Sequence, residues 1–230
     1  PRQRSWLNAE HITAIYTLKY NQVIIGFLYI AAHDGQDFAP EELRYLEKIC
    51  YYFSYALRNA NLYQNAYRAS ITDDLTSLYN RKHAFECIDH VCQHQKPSTL
   101  IVLDIDDFKL YNELYGAQES DNLIHRFAQV ILQEISSKDI GFRFGADEFL
   151  ILKAGTDIDE ACSCCKRIVD AITDATPANT VWDITITCGI SVFPDISTDA
   201  ASFLHNAEQA IYYGKQAGKG NIEVYRPGID

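Results

Sequence analysis

Four aliphatic residues in succession, Leu100-Ile101-Val102-Leu103, run directly into Asp104-Ile105-Asp106-Asp107-Phe108-Lys109. A fully apolar, β-branched run of this length reads as a central strand, covered on both faces. In a strand, residues two apart share a face, so Asp104 and Asp106 project the same way as the strand runs out. About forty residues later lies Arg143-Phe144-Gly145-Ala146-Asp147-Glu148-Phe149, with two adjacent carboxylates just past a small-residue turn. Either cluster alone says little. Together they put several hard oxygen ligands where two strand ends meet, which is the donor set Mg²⁺ uses beside a nucleotide triphosphate.

The rest of residues 71–230 reads as one α/β domain around that strand. Residues 121–135 carry Leu123, Ile124, Phe127, Val130, Ile131 and Ile135 at helical spacing. Residues 142–144 and 149–152 flank Gly145-Ala146 as a hairpin. Residues 182–193 alternate, with Ile184, Ile186, Cys188, Ile190 and Val192 on one face. A helix over 199–217 is ended by Gly218 and Gly220, and a short strand follows at 222–225. The order helix, strand, helix, hairpin, helix, strand, helix, strand predicts a central sheet with helices packed over it.

Upstream, two β-like runs at 11–16 and 23–30 are joined across Asn21-Gln22, so a hairpin is expected. Two strands cannot bury enough surface to stand alone and must complete a larger sheet or pack on something else. Residues 40–69 predict a long helix. Pro40 suits its first turn, and Glu41 and Glu42 suit its positive dipole end. Leu43, Leu46, Cys50, Phe53, Leu57 and Ala60 alternate by three and four, a heptad seam. Its front is expected to cover the small sheet and its back to continue as a dimer stalk. The expected organisation is therefore 1–39, 40–70 and 71–230.

Composition narrows the partners. A formal net charge of -11 argues against non-specific nucleic-acid binding, which needs a basic footprint. Seven cysteines with no regular framework suit a reducing cytosol, and Cys162, Cys164 and Cys165 read as packing on a helix, not as a metal site. No apolar run approaches the roughly 18 residues of a membrane span. The chain begins at Pro1 without Met and reads as part of something longer.

The two acidic clusters gain meaning from their neighbours. Asp104 with Asp147 can hold cations that neutralise phosphates and activate an attacking hydroxyl. The small residues Gly145 and Ala146 let phosphates approach the backbone. Lys215 and Lys219 are expected one helical turn apart, on one face, as point charges for outer phosphates. Asn112 and Asp121 are expected in the loop and helix start after the first cluster. Between them they offer a donor and several acceptors suited to a guanine edge. Each has a plainer alternative taken singly: a cap for Asp121, a turn for Asn112, a solvated face for the lysines.

Five segments in one order carry a resemblance: Asp74-Leu75-Thr76-Ser77-Leu78-Tyr79-Asn80-Arg81, the 104–109 cluster, Asn112 with Tyr115-Gly116 and Asp121, the Gly145-Ala146-Asp147-Glu148-Phe149 turn, and Tyr213-Gly214-Lys215 with Gly218-Lys219. They resemble the GGDEF family of diguanylate cyclases over 71–230. The resemblance implies an α/β (α+β) fold with a ferredoxin-like, palm-type central sheet, and condensation of two GTP into cyclic di-GMP with Mg²⁺ or Mn²⁺ by a cytoplasmic homodimer. It implies that Asp104, the Ile105 carbonyl and Asp147 hold metal, and that Glu148 assists removal of the ribose 3′-hydroxyl proton. It further implies that Asn112 and Asp121 read guanine, while Lys109, Arg143, Lys215 and Lys219 contact or steady phosphates.

Three departures surround that pocket. Ala146 replaces the second glycine of the turn, and a positive φ there would cost roughly 1–2 kcal/mol. Ala117 stands where the family usually has His, and Ser120 replaces a Gly. They keep open an alternative, a catalytically degenerate module that binds GTP without turnover. The family's Arg-x-x-Asp product-inhibition motif retains Asp139 but has Ser136 for the Arg. Residues 11–60 resemble the closing half of a GAF sensor domain, on Ile25-Gly26-Phe27-Leu28, Phe38-Ala39-Pro40-Glu41-Glu42 and Leu57-Arg58-Asn59-Ala60.

Overall fold

The aliphatic run forms β4 (Ser98–Ile105), buried at every position, within a 6-stranded sheet. It pairs antiparallel with β6 (Glu148–Ala154) on one side and β7 (Ile186–Phe193) on the other. β5 (Ile140–Arg143) folds back on β6. Short parallel partners, β3 (Tyr79–Asn80) and β8 (Ile222–Val224), complete the order β3-β5-β6-β4-β7-β8. The computed structural model describes residues 14–30, 38–175 and 184–228. Residues 11–13 and 182–183 of the predicted strands lie outside the described residues.

Strand alternation sorts the core into two layers. Ile101, Leu103 and Ile105 join Phe149, Ile151, Cys188 and Ile190 against α3 (Phe108–Glu134) and α4 (Ile158–Ala175). Leu100 and Val102 join Phe142, Leu150 and Phe193 against α2 (Arg81–Gln93) and α5 (Ala200–Ala217). Each such aliphatic or aromatic side chain contributes about 1.5–3 kcal/mol by leaving water. The path β4-α3-β5-β6-α4-β7, laid out spatially as β5-β6-β4-β7, is the ferredoxin-like split βαβ arrangement. It carries α3 and α4 on one face, and α2 and α5 close the other. Cys164, Cys165 and Cys188 are fully buried free thiols within the first layer, as packing requires.

One helix is longer than its periodicity shows. α3 starts at Phe108, not near 121, and is broken at Gly116 (φ 82, ψ 171). Its first segment leaves Leu110 and Leu114 38% and 59% exposed, so no clean apolar stripe reveals it. Asn112 is consequently a helical residue, not a loop residue as expected.

The chain divides into two units, Pro1–Ser70 and Ile71–Asp230. In the first, β1 (Ala14–Tyr20) and β2 (Val23–Ile30) form an antiparallel hairpin. Asn21 and Gln22 both take positive φ, 44 and 67, the signature of a two-residue primed turn. α1 (Pro40–Ile71) begins with the Glu42 carboxylate accepting from Ala39 N–H at 2.8 Å. Its front lies on the hairpin: Leu18, Cys50 and Ser54 are buried, and the Arg58 guanidinium sits 4.2 Å over the Tyr20 ring. Residues 61–70 are exposed throughout. Among the described residues no helix is long and apolar enough to cross a membrane.

Candidate active site

β4 delivers Asp104 to the sheet end in register with Glu148 on β6 and Thr187 on β7. Residues opposed in register point to one face, here the face covered by α5. From α5, Lys215 Nζ reaches to 2.6 Å from Asp104 Oδ1, an ion pair. Burial raises the proton affinity of Asp104, and nearby Asp147 and Asp106 add to the rise, outweighing Lys215. Burial likewise raises Glu148, reinforced by Asp104 and Asp147. Asp104 and Glu148, crowded by Asp147, are underneutralised by one lysine.

The turn between β5 and β6 is tied down at each residue. The N–H groups of Phe144 and Gly145 both donate to Glu148 O, at 2.8 and 3.0 Å, and Ile105 N–H donates to Asp147 O at 3.2 Å. A Cβ on Gly145 would meet Glu148 Oε2 at 2.8 Å, so a larger residue there would push that carboxylate aside. Ala146 is not among the residues of positive φ. The anticipated left-handed strain is therefore absent, because the turn takes no left-handed residue there. Arg143 braces the turn from below. Its Nε donates to Gly145 O at 3.2 Å, one terminal nitrogen donates to Ala146 O at 3.1 Å, and the other donates to both Asp73 oxygens at 3.2 Å. Sequence reasoning missed Asp73. Its signal was the Asp-x-x-Thr spacing, since Asp73 Oδ1 also accepts from Thr76 N–H and Oγ1 at 2.9 and 2.7 Å.

The rest of the acidic cluster is structural in the protein-only arrangement. Asp106, 4% exposed, accepts from Thr185 Oγ1 at 2.9 Å, Thr187 Oγ1 at 2.8 Å and Gly220 N–H at 3.1 Å. It thereby anchors the glycine-rich segment after α5. Asp107, in the left-handed region at φ 55, receives Lys219 Nζ at 2.8 Å. Lys215 and Lys219 do not share a helical face as expected. α5 ends at Ala217, Gly218 is its C-cap, and Lys219 has φ 59. Both ammonium groups still converge on the acidic cluster. Lys109 is exposed in the first turn of α3, and Asp121 is exposed beyond the kink. Ser120 Oγ lies 3.0 Å from the Asn112 side-chain amide and 3.0 Å from Gly116 O, so the kink folds the Asn112 turn back toward Asp121.

Asp139 is committed to the protein on both oxygens, accepting from Ala154 N–H at 3.2 Å, Ser136 N–H at 3.1 Å and Lys153 Nζ at 3.1 Å. Among the described residues no three His, Cys, Asp or Glu side chains form a closed metal cage. The Asp104, Ile105 carbonyl and Asp147 set is instead an open oxygen set. Its acidic oxygens, crowded enough to raise the Asp104 carboxyl, fit a hard divalent cation whose remaining positions are filled by phosphate oxygens.

The model of the family described as Diguanylate cyclase, GGDEF domain, matches residues 70–221, and the chain belongs to that family. The uncharacterized protein YtrP of Bacillus subtilis (strain 168) is 28% identical over 206 residues, covering 89% of this chain and 35% of YtrP. Diguanylate cyclase DgcZ of Escherichia coli (strain K12) is 31% identical over 172 residues, covering 73% of this chain and 57% of DgcZ. The chain thus spans about a third to just over half of those relatives. The coiled coil and GGDEF domain of DgcB from Caulobacter crescentus, solved with c-di-GMP, shares the fold at a TM-score of 0.70. It has 22% identity and covers 81% of this chain and 100% of that one.

Proposed function

We propose that the chain condenses two molecules of GTP into cyclic di-GMP, releasing two pyrophosphates, as a cytoplasmic signalling enzyme. The observation that carries this reading is the pairing of Asp104 with Glu148 across β4 and β6, beside Asp147, whose charge helps raise the proton affinity of both. Mg²⁺ or Mn²⁺, held by Asp104, the Ile105 carbonyl and Asp147, would neutralise the phosphates and acidify the attacking hydroxyl.

This chain's own residues do the remainder. Glu148, made a stronger base by burial and its neighbours, accepts the 3′-hydroxyl proton of the ribose. That oxygen forms a bond to the α-phosphorus of the second GTP as the bond to pyrophosphate breaks, and the reciprocal attack closes the ring. Lys215 and Lys219 exchange their aspartate partners for phosphate oxygens, and exposed Lys109 stands at the rim. Arg143 holds the turn that aims Asp147 and Glu148. Asn112 and Asp121 hold the guanine edge.

Each copy supplies one GTP, so the reaction needs two copies. Their contact is assigned to the 43–60 stretch of α1, where Tyr45, Ile49 and Phe53 are 67%, 56% and 44% exposed. The organisation that follows is a GAF-like sensor segment over 1–39, a signalling helix over 40–70 and the cyclase domain over 71–230. The test is chromatography of the products when the full chain is incubated with GTP and Mg²⁺. Cyclic di-GMP with matching pyrophosphate is expected. Metal-dependent GTP binding without any product would leave only a nucleotide-binding module.

A further inference from the structure

Ser120 is 4% exposed and its Oγ faces two groups at equal distance. One is the Gly116 carbonyl oxygen at 3.0 Å, and the other is the Oδ1 end of the Asn112 side-chain amide at 3.0 Å. A hydroxyl has one proton and two lone pairs. The Gly116 carbonyl can only accept, so the Ser120 proton goes to it, the back-bonding pattern of a helical serine four residues on. The lone pairs of Oγ then face Asn112, and only an N–H of the amide satisfies them. With Oδ1 in that place, two acceptors would meet 3.0 Å apart sharing a proton already used. A half-turn of the amide exchanges Oδ1 and Nδ2 at almost no steric cost.

We propose that Ser120 is a specificity-determining positioning residue: it accepts from Asn112 Nδ2 and so fixes the amide with Oδ1 presented to the base. This rests on the reading of the site as a GTP site. With Oδ1 outward, Asn112 joins the Asp121 carboxylate in an edge of acceptors. Guanine answers such an edge with its N1–H and 2-amino donors. Hypoxanthine lacks the 2-amino group, and adenine presents an acceptor at N1. A residue without a hydroxyl at 120 leaves the amide free to turn and to offer either end.

The test is calorimetric binding of the α,β-methylene analogues of GTP and ITP to the full chain in Mg²⁺. It uses wild type, Ser120→Ala, Asn112→Ala and the double variant, with thermal melting to verify folding and Ser120→Gly as the second small replacement. Wild type is expected to prefer the GTP analogue. Ser120→Ala is expected to narrow the GTP-to-ITP ratio by roughly three- to tenfold, the range of one hydrogen bond lost, and to narrow it no further once Asn112 is Ala. A structural role alone would weaken both analogues together. An unchanged ratio in both folded Ser120 variants, or an equal effect of Ser120→Ala without Asn112, overturns the inference while leaving the GTP site intact. Failure of wild type to bind either analogue overturns the site reading itself.

Discussion

Arg143 carries the signature turn on one guanidinium, with hydrogen bonds to Gly145 O, Ala146 O and both oxygens of Asp73. A lysine cannot reproduce that planar fork, so Arg143→Lys should behave much like Arg143→Ala. Each should lower stability by about 1–3 kcal/mol and turnover with it, read by urea melts and product formation. Glu148 behaves oppositely. Its proton affinity is raised by burial and by Asp104 and Asp147, so its stabilising contribution is complete below the unfolded value and is lost as pH rises through the folded one. At neutral pH the charge therefore costs stability. Glu148→Gln should raise the melting temperature by about 1–3 °C while lowering turnover at least about 100-fold. Stability and function pull apart at this residue.

At the scale of elements, β4 and the hairpin that faces it deliver the carboxylates, and the kinked α3 delivers Asn112 and Asp121. Gly116 sits at the kink with φ 82, and a Cβ there would meet nothing within 4 Å. The cost of Gly116→Ala is thus backbone strain alone, about 1–2 kcal/mol. It should also weaken GTP binding measured by calorimetry, because the two halves of α3 lose their angle. β4, the signature hairpin and β7 were legible in the sequence because their patterns are strong: an unbroken aliphatic run, small residues between strands, clean alternation. The first half of α3 was not, because Leu110 and Leu114 face solvent and leave no stripe to count. β3 is two residues long and shows no period at all. That Asp104, Glu148 and Lys215 gather at one sheet end was readable, but the supporting partners were not: neither the Arg143–Asp73 brace nor the bonds to Asp106 follow from spacing along the chain. They depend on which strands the topology makes neighbours.

For the molecule as a whole, the acid side of its stability should be set by Asp73 and Asp139. Burial pushes both carboxyls up, but hydrogen bonds from Thr76 and the Arg143 guanidinium hold Asp73 down. Lys153, Ser136 and Ala154 do the same for Asp139. A depressed folded value gives stability that is present above the unfolded value and lost as pH falls through the folded one. Thermal melting of the full chain should accordingly decline below about pH 4. Asp139→Asn should flatten that decline and lower neutral-pH stability by about 1–3 kcal/mol, because it leaves Lys153, whose side chain is 10% exposed, with only the more distant Glu160 carboxylate at 3.9 Å.

The account turns on cation binding between Asp104 and Asp147, and electron paramagnetic titration of Mn²⁺ into the full chain with the α,β-methylene GTP analogue reads it directly. Binding in wild type, weakened at least about tenfold by Asp104→Asn and by Asp147→Asn alike, is the predicted result. Binding that both variants retain at wild-type strength would contradict it.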